Sequence, residues 1–273
     1  MKKLSVKKQI LWYGLGLAFI LALWWVLSVA AANSLILPDP LSVAKAFLRL
    51  AGTAGFYLSM LRSMAGILCG YLAGNAAGLL LGALSGLSER IYAFVKPAMT
   101  IIKTTPVASF IILVLIWIGK AYTPAFTAFL IVLPVVWQTV SSGMRSADVK
   151  LLEAAEVFRL SAAKKIRYVY VPEASSGYVG ASLTAMGFAW KAGVAAEVLA
   201  GGMKTLGGNI YSAKIYLEIP DLFAWTFTVI ALSLVIELLT GFVLRRLLDR
   251  RKQAENGKAS SKSSHASPVE VEP

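Results

Sequence analysis

The chain has one cysteine and one histidine among its 273 residues, and neither supports the chemistry that usually uses them. A single cysteine excludes an internal disulfide framework. The histidine, His265, lies in a polar C-terminal stretch, so no His/Cys metal site is expected. No nucleophile triad or pair of catalytic carboxylates is recognisable either, and a membrane enzyme is therefore the least favoured class.

Charge is also scarce, because only 15% of the residues are charged while 58% are hydrophobic and the mean hydropathy is +0.70. A soluble domain is near half apolar and a quarter charged. The surplus of apolar residues indicates a membrane protein that contacts lipid. The net charge of +13 does not indicate a nucleic-acid partner, since basic residues of membrane proteins collect in cytoplasmic loops.

A phosphate-binding loop is missing as well. The nearest approach to G-x-x-x-x-G-K-[ST] is 202–205, which lacks the glycine before the lysine. Without such a loop the chain is not expected to hydrolyse ATP itself. Any energy from ATP must come from another subunit.

Six apolar stretches are long enough to cross a bilayer as helices of about 20 residues. They predict an all-α polytopic membrane protein whose spans lie at 10–32, 58–86, 92–118, 122–142, 176–200 and 224–246. Domains follow from these bounds: an N-terminal tail over 1–9, a transmembrane domain over 10–250, and a disordered tail over 251–273.

With the N-terminus inside, nineteen Lys and Arg residues fall on the cytoplasmic side and five on the outer side. This asymmetry predicts that both termini are cytoplasmic, because basic loops stay inside. A cleaved signal peptide is an alternative for the first span, since 2–8 are basic and Ala30-Ala31-Ala32 contains an A-x-A. The apolar run of about 23 residues is longer than a signal sequence normally carries.

Glycines recur at every fourth residue of the second span, an arrangement that lets neighbouring helices approach closely. The predicted packing positions are Gly66, Gly70, Gly74, Gly78, Gly82 and Gly86. We expect Gly86, near the end of the span, to tolerate substitution by leucine better than Gly74 or Gly78.

A charged segment over 143–175 separates the fourth and fifth spans and carries an organised pattern. Glu153-Ala154-Ala155 is followed after three residues by Arg159, and nine residues later by 169–172, which ends in Pro172. This resembles the E-A-A loop of ABC-type importer permeases, whose pattern is E-A-A, three residues, G, nine residues, I-x-L-P. Arg159 replaces the glycine, and valines replace the isoleucine and leucine.

From the residues themselves, the loop is expected to form two short helices. Leu151, Ala154, Ala155 and Phe158 fall at helical spacing and give one apolar face. That face suits a groove of a partner protein, or alternatively a layer of lipid headgroups. Ser161 is expected to be the N-cap of the second helix, and Pro172 is expected to end that helix. Arg159 is expected either to displace the turn to 160–161 or to contact an ATPase.

Lys191 and Lys103 lie within predicted spans, where a charge is costly and therefore a candidate for function. Lys191 and its neighbour Trp190 are predicted to line a pathway, although pairing of Lys191 with Glu197, or snorkelling, remains an alternative. Lys103 precedes a break at 104–106 where freed backbone groups can line a cavity.

The resemblance covers about 58–246 and is closest to the nitrate/sulfonate/taurine branch, which 195–197 and 207–211 resemble. It implies a prokaryotic cell-membrane importer with two permease copies, two ATPases that bind ATP and Mg, and an extracytoplasmic solute-binding protein. The loop residues Glu153 to Pro172 would then couple to the ATPase, and no cofactor or metal is expected in this chain. The alternative is a secondary transporter or channel with no ATPase partner.

Overall fold

The computed structural model describes residues 6–263, and all the regular structure within them is helical. In chain order the helices are α1 (Val6–Ala31), α2 (Pro40–Ala51), α3 (Ala54–Leu87), α4 (Glu89–Thr104), α5 (Val107–Ile118), α6 (Thr123–Arg145), α7 (Val149–Val157), α8 (Ala162–Lys165), a π-helical turn (Ile166–Tyr170), α9 (Val171–Ala200), α10 (Leu206–Ile215) and α11 (Ile219–Ser263). The predicted all-α class is confirmed for this part of the chain.

Five helices are long and apolar enough to cross a membrane, and they match five of the six predicted spans. They comprise Leu11–Ala31, Ala54–Leu87, Thr123–Arg145, Gly177–Ala200 and Ile219–Leu244. Most boundaries differ from the predicted ones by a few residues. Apolar length, the property that the bilayer selects, therefore locates these helices from sequence.

The predicted span over 92–118 contains the break that was predicted at 104–106. It is divided into α4 and α5, which meet at an angle of 104° around Thr105 and Pro106. Proline has no N–H to donate and disfavours the helical conformation of the residue before it. Just before the break, Thr105 donates both its backbone N–H, at 3.0 Å, and its hydroxyl, at 2.7 Å, to the Ile101 carbonyl.

Two helices too short to span were not predicted. Asp39 caps α2 by accepting a hydrogen bond from the Ser42 amide at 2.9 Å, with Pro40 at the first helical position. The same hydrogen bond lowers the pKa of the Asp39 carboxyl below its ordinary value. Thr205 caps α10 in the same manner, accepting from the Gly208 amide at 3.2 Å.

The chain forms two compact units. The first comprises Met1–Gly74, Ile101–Ile131 and Phe188–Leu232, and the second Asn75–Thr100, Val132–Gly187 and Ser233–Pro273. In the first unit, Trp24 of α1 packs against Phe223 and Phe227 of α11. An ion pair between Arg49 and Asp221 attaches α2 to the start of α11.

In the second unit, α3 and α6 run in the same direction. Three successive glycines of α3 meet three side chains of α6 in the same order: Gly78 with Val136, Gly82 with Val140 and Gly86 with Met144. Helix α9 runs antiparallel to α6, since Gly143 lies against Ala174 whereas Gly177 lies against Thr139.

Close packing accounts for most of the glycine ladder. A Cβ atom added at Gly78, Gly82 or Gly86 would lie 2.7, 2.8 or 2.6 Å from the Cβ of its α6 partner. Gly70 approaches the Ala125 backbone in the first unit, and Gly74 is buried. The expectation that Gly86 is the tolerant position is therefore wrong.

Gly66 is the ladder position with open space, since no heavy atom lies within 4 Å of the Cβ that would be added there. A period of four residues exceeds the helical repeat of 3.6, so the stripe drifts around a straight helix. That drift carries the first glycine of the series away from the neighbouring helix.

The disorder predicted for 251–273 stays a prediction, although the helix at the C-terminal end of the chain enters this stretch. Helix α11 continues as far as Ser263, while 264–273 lie outside the described residues. Extending an existing helix is favourable because each added residue gains one hydrogen bond without repeating the cost of nucleation. Arg, Lys, Gln, Ala and Glu, which begin this stretch, are favourable residues for that extension.

Candidate functional site

The loop between α6 and α9 begins with a short, well-defined helix. Asp148 caps α7 by accepting a hydrogen bond from the Lys150 amide at 2.9 Å. At the other end, Leu160 N–H donates to the Ala155 carbonyl and Arg159 N–H donates to the Glu156 carbonyl, both at 2.9 Å. These two bonds form a Schellman motif, which satisfies carbonyls that a helix end leaves unpaired.

Arg159 occupies the left-handed position of that motif, with a φ of 49°. The expectation that the turn would shift to 160–161 is therefore wrong. The turn stays where the family pattern has glycine, and arginine adopts the backbone conformation that glycine would accept without steric cost. The hydrogen bonds of the motif oppose a strain of about 1 kcal/mol for a residue with a Cβ in this region.

The exposed face of α7 differs from the predicted one in one position. Glu153 and Ala154 are exposed, and Phe158 has 77% of its surface exposed. Ala155, by contrast, is only 3% exposed, so its methyl group packs within the second unit. The prediction that Ala154 and Ala155 together offer a docking surface holds in this geometry for Ala154 alone.

The exposed apolar residues of the loop extend beyond the E-A-A positions. They are Val149, Leu151, Val157, Phe158 and Tyr168. Val149 and Val157 were not among the predicted docking residues, although each lies four residues from Glu153 and thus near it on the helix. We name Val149, Glu153, Ala154, Val157 and Phe158 the α7 face.

Pro172 does not end a helix, contrary to the prediction. The chain is helical from Ala162 through the π-helical turn into α9, and Pro172 lies in the first turn of α9. Val171 N–H donates to the Ile166 carbonyl, five residues back. The wider π turn relieves the clash that a proline ring makes with the preceding turn.

Ion pairs, rather than a side-chain cap on α8, stabilise the loop internally and at its start. Ser161 occupies the N-cap position of α8, as predicted, but its side chain makes no capping hydrogen bond. Lys165 and Glu156 form an exposed ion pair at 3.2 Å that joins α8 to α7. Arg145, the last residue of α6, pairs with Glu89 and lies 4.2 Å from the ring centroid of Tyr92.

The three residues predicted to line a pathway have different environments. Lys191 and Lys103 are both exposed. Trp190 is only 1% exposed, and its indole N–H donates to the Val229 carbonyl at 3.3 Å. Adjacent helical residues point about 100° apart, so Trp190 faces the interior of the first unit rather than the same surface as Lys191.

Glu197 does not pair with Lys191 in the described part of the chain. Its carboxylate is 2% exposed and accepts hydrogen bonds from the Ser63 hydroxyl at 2.8 Å and the Gly207 amide at 2.9 Å. The Ser63 oxygen in turn accepts from the Leu206 amide at 2.9 Å. Ser63 and Glu197 together satisfy the first amides of α10, a role that the sequence pattern did not reveal.

This architecture is that of an integral membrane transport protein: long apolar helices, charges within or beside them, and a helical loop with an exposed apolar face. Comparison with known families makes the class specific. Residues 74–253 match the family described as "Binding-protein-dependent transport system inner membrane component". The chain belongs to this family and is a permease of the ABC importer type.

Curated relatives with assigned roles agree. The chain is 27% identical to the putative aliphatic sulfonates transport permease protein SsuC of Bacillus subtilis, over 86% of this chain and 83% of that one. It is 25% identical to the taurine transport system permease protein TauC of Escherichia coli, over 85% and 86%. It is 28% identical to the nitrate import permease protein NrtB of Synechococcus elongatus, over 78% and 83%.

A solved structure has the same fold. The crystal structure of an amino acid ABC transporter with histidines contains a chain that superposes with a TM-score of 0.58 at 20% identity, covering 75% of this chain and 98% of that one. The predicted importer family is thus confirmed, and permeases named for sulfonate, taurine and nitrate are among its relatives. Membership of a binding-protein-dependent family also sets aside the secondary transporter, the channel and the membrane enzyme.

Proposed function

We propose that this chain is the membrane-spanning subunit of an importer for a small anion, driven by an ATPase that docks on the α7 face. The main support for this proposal is the α7 face, which presents the Glu153 carboxylate among apolar groups on a well-capped helix. Exposed apolar residues in a loop between spans favour a protein partner, since such patches mark interaction sites.

The proposal includes six membrane crossings. Helices α3 and α6 run in the same direction, so the chain between them must return across the membrane before α6 begins. At about 1.5 Å per residue, helices with the lengths of α4 and α5, set at 104°, advance the chain about 26 Å. This end-to-end distance approaches the hydrocarbon thickness of about 30 Å, and the parallel course of α3 and α6 favours one broken span over a re-entrant loop.

Both termini are proposed to be cytoplasmic. With six crossings they lie on one side, and the excess of Lys and Arg identifies that side as the inside. The α7 face then meets the cytosol, where ATP is available. The cell membrane of a prokaryote is the proposed location, in keeping with the bacterial relatives.

The proposed assembly contains two copies of this chain, two ATPases that bind ATP and Mg²⁺, a solute-binding protein on the outer side, and surrounding lipid. In such an assembly, ATP-driven closure of the ATPases moves the two loops together and opens the pathway outward. The solute is proposed to be a sulfonate, taurine or nitrate, as in the relatives. Lys191, exposed on α9, and Lys103, beside the break between α4 and α5, are the proposed cationic positions on its path.

Copurification tests the docking surface. Glu153→Lys with Ala154→Arg reverses the charge and adds bulk on the α7 face, where both side chains are exposed and the fold is spared. Losing one partner of a buried charged contact costs about 2–5 kcal/mol, so the ATPase should no longer copurify. Glu218→Lys, an equal charge reversal between α10 and α11, is the control and should retain it. Normal copurification and uptake in the double variant would falsify the docking proposal.

A further inference from the structure

A recess in the first compact unit combines basic, polar and aromatic groups that the proposed coupling function does not use. It has a volume of about 330 Å³ and lies between the start of α3, the loop before α10, and the beginnings of α10 and α11. Its basic and polar lining comes from Arg62, Lys204, Ser59, Asn209 and Thr53. Under the proposed topology this recess opens on the outer side.

The basic groups are held towards the recess. Arg62 lies on α3 in an otherwise apolar span, where a charge is expensive and usually serves a function. Its guanidinium reaches the Lys204 carbonyl at 3.5 Å, which holds it beside the loop that carries the second cation. Lys204 also lines the recess, so two basic residues border one space.

The polar floor is preorganised. Ser59 is buried, and its hydroxyl accepts a hydrogen bond from the Asn209 side-chain amide at 2.9 Å. This bond fixes the side chain of Asn209 and leaves its carboxamide oxygen and remaining N–H for another partner. Phe56 and Trp225, whose rings lie 5.1 Å apart, form an apolar wall.

We infer that this recess binds a small organic anion, a sulfonate or a similar oxyanion with a short apolar tail. Guanidinium and ammonium groups make strong charge-assisted hydrogen bonds to oxyanions, and the aromatic wall suits the tail. The volume lies within the usual range for small-molecule sites, whereas a single carboxylate arm from a docked protein would leave most of it empty. The inference rests on the proposed function, for which the recess would be the first subsite reached from the binding protein.

Direct binding tests the recess without the transport cycle. The full chain, purified in lipid nanodiscs, is titrated with ethanesulfonate while ligand-observed NMR records saturation. Saturable binding is expected, and Arg62→Gln and Lys204→Gln should each weaken it about tenfold, the loss that corresponds to one charged contact of about 1.4 kcal/mol. Lys214→Gln, which removes an exposed lysine further along α10, should bind as the parent does.

Three further results have defined meanings. No saturable binding, or undiminished binding in both variants, overturns the inference. Loss of association with the solute-binding protein in Arg62→Gln, without ethanesulfonate binding in the parent, assigns the recess to protein docking and also overturns it. If Arg62→Gln does not fold, Arg62→Lys serves instead and should show intermediate binding. The recess variants are expected to copurify with the ATPase as the parent does. A failure of ATPase copurification would therefore count against the proposed function and not against the recess.

Discussion

Arg159 shows at the scale of one residue how this loop keeps its geometry with an unfavourable side chain. The Schellman bonds from Arg159 and Leu160 to α7 hold a φ of 49°. Glycine visits this region freely, while a residue with a Cβ does not. The position thus has the backbone of an ordinary helix-ending turn but carries arginine where glycine is typical. The long cationic side chain of Arg159 is exposed beside the α7 face.

Arg159→Gly should stabilise the turn by about 1 kcal/mol, the strain that the left-handed conformation carries. Limited proteolysis of the loop in the purified protein should slow accordingly, and ATPase copurification should persist. Arg159→Val, with a β-branched side chain, should accelerate cleavage. Equal cleavage rates for all three proteins would contradict the strain assigned here.

The two alanines of the E-A-A triplet should behave differently. Ala154→Arg adds bulk to an exposed position and should abolish ATPase copurification while the thermal unfolding of the permease is unchanged. Ala155→Arg introduces a charge where only 3% of the side chain is exposed, and it should lower the thermal stability as well. Identical melting curves for the two variants would refute the burial assigned to Ala155.

The positions of the candidate docking residues were more predictable from the sequence than the orientation of their side chains. The identities and spacing of Glu153, Ala154 and Pro172 marked the loop, because a spacing pattern is visible in one dimension. The burial of Ala155 and of Trp190 depends on which helix lies beside them, and periodicity alone does not contain that information. The cap that Ser63 and Glu197 form on α10 was not predicted either, because 134 residues separate the two in sequence.

At the scale of the element, the contact between α3 and α6 depends on the small volume of the glycines of α3. Glycines at Gly78, Gly82 and Gly86 let α6 side chains approach to distances that a Cβ would forbid. In lipid, such close packing replaces the hydrophobic drive that stabilises soluble helix pairs. The ladder was predictable from its period, whereas the identity of the partner helix was not.

Gly70 and Gly66 give a matched test of that packing. Gly70→Ala would push a methyl group into the Ala125 backbone, so the thermal stability of the detergent-solubilised protein should fall by several degrees. Gly66→Ala enters open space on the same helix and should leave the stability near that of the parent. Equal losses in both variants would indicate that helix propensity, not contact with α6, governs this series.

The effect of a proline on a helix was only partly predictable from sequence. Pro106 and Pro172 both lie within apparently helical sequence and have opposite outcomes: Pro106 separates α4 from α5, while Pro172 is accommodated after a π turn. Proline always removes a donor, but whether the helix bends or widens depends on the surrounding packing. The predicted break at 104–106 is therefore confirmed, whereas the predicted helix end at Pro172 is wrong.

For the whole molecule, the crossing number follows from helix direction rather than from hydropathy. Five spans are evident by length and apolar content, and the bent pair is ambiguous by that measure. The parallel course of α3 and α6 favours a sixth crossing, since two parallel helices need an odd number of crossings between them. This argument and the distribution of basic residues are independent.

Cysteine labelling in intact cells separates six crossings from five. With Cys69 replaced by serine, Tyr122→Cys should react with a membrane-impermeant maleimide from outside, and Val157→Cys should react only after the membrane is permeabilised; both side chains are exposed. Phe94→Cys, also exposed and close to the beginning of α4, should behave as Val157→Cys does. If α4 and α5 formed a re-entrant loop, Phe94→Cys and Tyr122→Cys would be labelled from the same side. That result would remove the sixth span, place the two termini on opposite sides, and leave the direction of α6 inconsistent with that of α3.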